Sequence, residues 1–249
     1  MLVAAVAILV GFIILIWSAD LFVAGAASIA ENLGLSPIII GLTIVSLGTS
    51  APEILVSLMA AFSGAGDLAI GNAIGSNIAN IGLVLGITVL VAPMMVHESC
   101  MKKEMPTLLA VTVGAGLLLL DDVLQPLDGW LMIGTLVVII FHMVRTQTQD
   151  AVLLEEAEEE LLPHLTPTRA WLTFATGLVL LIASSRLLVW GAVAVASELG
   201  VSELVIGLTI VAIGTSLPEL AATIASALRG HTEIALGNVI GSNMFNLLA

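Results

Sequence analysis

GLTIVSLGTSAPE, running from Gly41 to Glu53, returns as GLTIVAIGTSLPE from Gly207 to Glu219, identical at ten of thirteen positions and displaced by 166 residues. The same displacement relates GNAIGSN, from Gly71 to Asn77, to GNVIGSN, from Gly237 to Asn243, and it aligns Gly25 with Gly191 and Gly34 with Gly200. Two blocks in one order at one spacing mean a duplicated structural unit and not a stray motif. The surrounding sequence sets the solvent. Of 249 residues, 59% are hydrophobic and 10% charged, which points to lipid. Apolar stretches near the length a helix needs to cross a bilayer run over 2–27, 37–62, 68–92, 105–120, 127–144, 170–195, 202–228 and 233–249. The first is expected to be a span and not a signal peptide, because no Lys or Arg precedes it and no clear small-residue cleavage site follows.

Five spans precede the second copy, and an odd number means that the copies enter the membrane from opposite sides. The expected fold is an all-α polytopic membrane protein of two inverted five-helix repeats with interrupted central helices, the second truncated after its third helix. Residues 1–145 form the first repeat, 146–169 an acidic cytoplasmic loop, and 170–249 the second repeat. That loop carries Asp150, Glu155, Glu156, Glu158, Glu159 and Glu160 and reads as a solvated linker. Lys102, Lys103, Arg145, Arg169 and Arg229 share one side, while Asp67, Asp121, Asp122, Asp128, Glu198 and Glu203 share the other. The excess of basic residues inside then places the N-terminus outside. Inverted repeats are a recurring plan of secondary transporters, with ion sites near the midplane.

Within the repeated block, Ser46, Thr49, Ser50 and Glu53 fall on one helical stripe, and Ala212, Thr215, Ser216 and Glu219 repeat it with one hydroxyl lost. Hydroxyls, carbonyls and a carboxylate are the donors that hard cations such as calcium take. Pro52 and Pro218 each deprive the carbonyl four residues back, at Gly48 or Gly214, of its usual N–H partner. In hydrocarbon such a carbonyl is tolerable only where it faces protein or a wet cavity. Ser76 with Asn80, and Ser242 with Asn246, are i, i+4 pairs that add side-chain oxygens. Gly71 with Gly75, Gly82 with Gly86 and Gly237 with Gly241 have the spacing that lets membrane helices approach closely. Asn77 and Asn243 are expected to make helix-packing hydrogen bonds. Asp20 and Arg186 also share the 166 displacement, yet inversion puts them toward opposite sides, each reaching its own interface.

Other classes find little support. A net charge of −13 argues against nucleic-acid binding. The single cysteine, Cys100, excludes an internal disulfide. His97, His142, His164 and His231 show no metal-ligand spacing. With no nucleophile–base pair, phosphate loop or zinc cluster, the chain is not expected to be an enzyme or to carry a cofactor.

GTSAPE with GNAIGSN, and GTSLPE with GNVIGSN, resemble the alpha repeats of the sodium/calcium exchanger family, within the calcium/cation antiporter superfamily, and the resemblance covers essentially all of the chain. It implies a ten-helix inverted fold of a bacterial inner-membrane, multi-pass antiporter, with ions bound at its centre. By motif position, Glu53 and Glu219 would be the carboxylates shared by calcium and sodium. Thr49, Ser50, Thr215 and Ser216 would give hydroxyl or backbone oxygens, and Ser46 and Ala212 backbone carbonyls. Ser76, Ser242, Asn80 and Asn246 would be the ligands of the other helix pair. Family members often carry Asp where Asn80 or Asn246 stands, so this site has two carboxylates, enough to balance one Ca2+. The expected function is antiport of Ca2+ for Na+ across the bilayer by alternating access. The alternatives are Ca2+/H+ exchange and a non-transporting membrane scaffold or fragment.

Overall fold

A computed structural model describes residues 1–96, 98, 100–121, 123–147 and 165–249. The acidic loop residues named above, His97, His164 and Asp122 lie outside the described residues. All regular structure among the described residues is helical. We number the helices α1 Leu2–Leu33, α2 Pro37–Thr49, α3 Ala51–Phe62, α4 Gly66–Val91, α5 Met105–Leu118, α6 Pro126–Gln147, α7 Pro167–Glu198, α8 residues 203–215, α9 Leu217–Leu228 and α10 Thr232–Leu248. Each expected span has a helical counterpart. Two of the spans are bent pairs, α2 with α3 at 49° and α8 with α9 at 51°.

The duplication is visible in the backbone. The glycines with positive φ are Gly34, Gly64, Gly200 and Gly230, two pairs separated by 166. Gly34 closes α1 at φ 60°, its N–H returning to Ala30 and Glu31, as left-handed helix caps do. The break falls at equivalent serines, Ser50 (φ −82°, ψ 0°) and Ser216 (φ −89°, ψ 6°), each two residues ahead of the proline. Ahead of each break the helix widens into one π-helical stretch, Gly41–Val45 and Gly207–Val211. A regular helix was expected there. Wide turns of this kind recur at functional sites, and the threonine inside each bonds back to its own helix, Thr43 to Ile39 and Thr209 to Val205, both at 2.6 Å.

Helices α1 and α7, the first of each copy, pack along their length. A Cβ on Gly11 would meet the Leu188 backbone at 3.2 Å, and one on Gly177 the Phe22 backbone at 2.5 Å; Gly25 abuts Phe174, and Gly191 meets Ala4 and Ile8. Residue numbers rise on one helix as they fall on the other, so the equivalent helices are antiparallel, as inversion of the copies requires. Phe22 and Phe174 stack across the seam with centroids 4.7 Å apart. Ion pairs also tie α1 elsewhere, among them the N-terminal amine to Glu198 at 2.8 Å and Asp20 to Arg229 at 2.5 Å. Asp20 thus finds a partner from the α9–α10 connection. Because the Asp20 side chain is 51% exposed, the pair is screened. Asp20→Asn is expected to lower the melting temperature in detergent by no more than about 4 °C; a much larger drop would mean that the pair is desolvated in the membrane.

The third helices of the two copies have opposite fates. Every residue of α10 from Glu233 to Asn246 is buried. On α4 the buried residues are Ser76, Asn80, Val84 and Thr88, one stripe at intervals of four. The close approach expected at paired glycines holds for α10 alone: Gly237 sits against Ile38 and Gly41, and Gly241 against Leu42 and Ser46. The numbers rise together, so α2 and α10 are parallel. Gly71, Gly75, Gly82 and Gly86 have no neighbouring helix where a Cβ would stand, which corrects the sequence expectation for α4. The difference lies in the partner: α10 packs closely on α2, whereas among the described residues α8, the equivalent of α2, makes little contact with α4.

Candidate cation site

The breaks after Thr49 and Thr215 bring the starts of α3 and α9 to the middle of the bundle, and the carboxylates sit in their first turns. Glu53 is 2% and Glu219 1% exposed. Ser50 reaches across the copies and donates its hydroxyl to Glu219 Oε1 at 3.1 Å. Thr49 donates to Asn238 Oδ1 at 3.1 Å and lies 3.5 Å from Ser242 Oγ. Ser76, Asn80, Ser242 and Asn246 line the same interior from α4 and α10, each at most 8% exposed.

The repeat also supplies a framework that the sequence reading passed over. Asn72 donates to the backbone carbonyl of Glu53 at 3.0 Å and to Ser57 Oγ at 2.9 Å. Its equivalent, Asn238, donates to the carbonyl of Glu219 at 3.5 Å and to Thr223 Oγ1 at 2.9 Å. Each asparagine thereby anchors the helix turn that carries a carboxylate. The signal was present: these are the second residues of GNAIGSN and GNVIGSN. Ser185 was not signalled at all. Its hydroxyl donates at 3.0 Å to the Gly214 carbonyl that Pro218 releases, so one of the freed carbonyls already has a protein partner. The equivalent of Ser185 in the first copy is Ala19, which has no hydroxyl to offer.

Other expectations shift in detail. Ser46 is buried, but its hydroxyl bonds back to Leu42 O at 2.6 Å and Thr43 O at 3.2 Å, and its carbonyl accepts from the Ser50 N–H at 2.9 Å. Thr215 is half-buried and Ala212 exposed, so the second copy's arm is the less enclosed. Asn243 donates to Val239 of its own helix at 2.6 Å, not to a neighbouring helix as expected. Of greatest chemical weight are the buried polar atoms without a hydrogen-bond partner: both carboxylate oxygens of Glu53, Glu219 Oε2, Ser216 Oγ, and the amide atoms of Asn80 and Asn246. A buried polar atom left unpaired costs about 1–3 kcal/mol, more when charged, and both copies contribute such atoms.

A cavity of ≈ 270 Å³ opens beside the breaks, lined by Pro52 and Val56, Ser185, Arg186 and Trp190 of α7, and Val211, Gly214, Thr215 and Pro218. Val56 and Val211 are each 40% exposed there. Their equivalents on the opposite side, Ala222 and Val45, are 0% exposed. The packing around the two breaks is therefore unequal, with a cavity beside Val56 and Val211 and filled space at the equivalent positions Ala222 and Val45. The larger cleft, ≈ 920 Å³ between α5 and α6, is away from both intramembrane carboxylates and its walls are mainly apolar.

Bent helices from two copies of one unit, with buried carboxylates just after the breaks, follow the plan of polytopic membrane transporters. The family model described as "Sodium/calcium exchanger protein" matches residues 3–145 and 169–249, and the chain belongs to that family. It is 52% identical to the CaxA protein of Alkalimonas amylolytica, over 100% of this chain and 79% of that one. It is 40% identical to the inner membrane protein YrbG of Escherichia coli K12, over 100% and 78%, and 32% identical to the sodium/calcium exchanger MaX1 of Methanosarcina acetivorans, over 96% and 79%. Among solved structures, the sodium-calcium exchanger NCX_Mj superposes with a TM-score of 0.85 at 35% identity, covering 98% of this chain and 79% of that one.

Proposed function

We propose that this chain exchanges Ca2+ for Na+ across a membrane, with the transported cation held between Glu53 and Glu219. The observation that supports this reading is a pair of buried carboxylates, one from each copy, whose oxygens lack protein partners, both on Glu53 and one on Glu219. A hard dication takes six to eight oxygens, carboxylates included, and two carboxylates balance its charge. Ser50, Thr49, Ser216, Ser76, Ser242, Asn80 and Asn246, with the carbonyls of Ser46, Ala212 and Thr215, are the remaining donors of that shell. Sodium, also a hard cation, competes for the same oxygens. The names of MaX1 and NCX_Mj, both sodium/calcium exchangers, support the pairing of ions.

Alternating access follows from the inverted copies. One side is open and the equivalent side shut, and exchanging the two local packings of equivalent helices yields the opposite arrangement without disturbing the site. The distribution of basic residues supports an exterior position for the open side. The test is calcium-45 uptake into proteoliposomes loaded with sodium. Uptake is expected to require the outward sodium gradient and to vanish with sodium equal on both sides. Uptake driven only by a proton gradient would replace this reading with Ca2+/H+ exchange, and no uptake with either, in properly inserted protein, would favour the scaffold.

A further inference from the structure

Arg186 lines the mouth of the cavity, one residue from Ser185 and facing the Thr215 and Pro218 break. It is exposed, and no carboxylate pairs with it among the described residues. A guanidinium stays charged at any pH the protein meets. A fixed positive charge in the wall of a cavity bordered by Pro52 and Pro218, each one residue before a buried carboxylate, opposes the approach of any cation by that route. Its equivalent in the first copy is Asp20, of opposite sign and already neutralised by Arg229 at 2.5 Å. The two ends of the pathway are therefore electrostatically unlike, although the site between them is nearly symmetric.

We infer that Arg186 is a specificity-determining residue: an electrostatic filter that weakens binding from the cavity side in proportion to ion charge, and so shifts competition there from Ca2+ toward Na+. The inference rests on the reading of the cavity as the cation pathway. Coulomb energy is linear in the charge of the ion, so whatever factor Arg186 imposes on Na+ is squared for Ca2+. Interface snorkelling, the role expected for a lone arginine in an apolar span, predicts no such relation. It also gives no reason for the side chain to border the break.

The test is equilibrium binding of calcium-45 to the purified chain in detergent, with displacement by sodium, at low and high choline chloride. Wild type is compared with Arg186→Gln and Arg186→Lys, and thermal unfolding confirms that each variant is folded. Arg186→Gln is expected to tighten calcium about 3- to 10-fold at low ionic strength and sodium by the square root of that factor. Both effects should shrink as salt screens them, and Arg186→Lys should bind as wild type does. Unchanged affinities in Arg186→Gln, a salt-independent change, or a lysine variant that behaves like the glutamine one would each overturn the filter while leaving the exchanger reading in place. If wild type binds no calcium, the exchanger reading fails and the filter with it.

Discussion

Glu219→Gln is expected to reduce calcium affinity about 100-fold or more, because partners in the outer shell of a metal site are alone worth about 10- to 100-fold and Glu219 is proposed as a direct ligand. Its Oε1 already accepts the Ser50 hydroxyl at 3.1 Å, and Oε2 has no protein partner. Glutamine keeps the volume, removes the charge and places an amide N–H2, a donor, at one of the two oxygens. Glu53→Gln should do the same, since both of its oxygens are unpaired. Stability should move the other way or not at all: a buried carboxylate is costly in a membrane helix, and the amide is less so. Calcium-45 binding in detergent beside thermal unfolding separates the two effects. A variant that melts normally and binds calcium with wild-type affinity would remove that glutamate from the site.

The sequence made the duplication legible because the repeated blocks hold the breaks. Proline, glycine and serine at Gly48–Pro52 and Gly214–Pro218 are residues whose backbone limits are local, so the bend can be read without a partner helix. The carboxylates were legible for a similar reason: a glutamate in an apolar span demands an explanation from its own helix. What was not legible depends on neighbours. Nothing in GLTIV distinguishes a π-helical stretch from a regular one. Ser185 meets Gly214 from a helix 29 residues earlier in the chain, outside either repeated block. The glycines at 11 and 177 look like ordinary membrane-helix glycines until α1 and α7 are laid antiparallel. Arg186 illustrates the limit most plainly, because periodicity places it on a helix face but cannot say whether that face meets lipid or a cavity.

The same limit yields the second large effect, which concerns two motifs that read almost identically. Gly237 and Gly241 in GNVIGSN should not tolerate alanine, whereas Gly71 and Gly75 in GNAIGSN should. A Cβ at Gly237 would lie 2.5 Å from Ile38 O and 3.0 Å from Gly41 Cα. Both are backbone atoms of a packed helix, which cannot turn aside as a side chain could. One at Gly241 would strike Leu42 O and the Ser46 hydroxyl. Forcing extra carbon into a filled interior costs about 1–3 kcal/mol, and pushing α2 from α10 also pulls Thr49 from Asn238 and Ser242. Gly237→Ala is therefore expected to lower the melting temperature of the 249-residue chain by about 5 °C or more, and Gly241→Ala by a similar amount, each with weaker calcium binding. At Gly71 and Gly75 nothing stands within 4 Å of the added carbon, and alanine favours a helix over glycine by about 0.8–1 kcal/mol. Those variants should melt at or slightly above wild type. Equal destabilisation at both pairs would mean that α4 is packed as tightly as α10, and the contrast between the two third helices would fall. Should the difference hold, the near-identical motifs do different work because α10 lies close against α2 while α4 does not lie so close against α8.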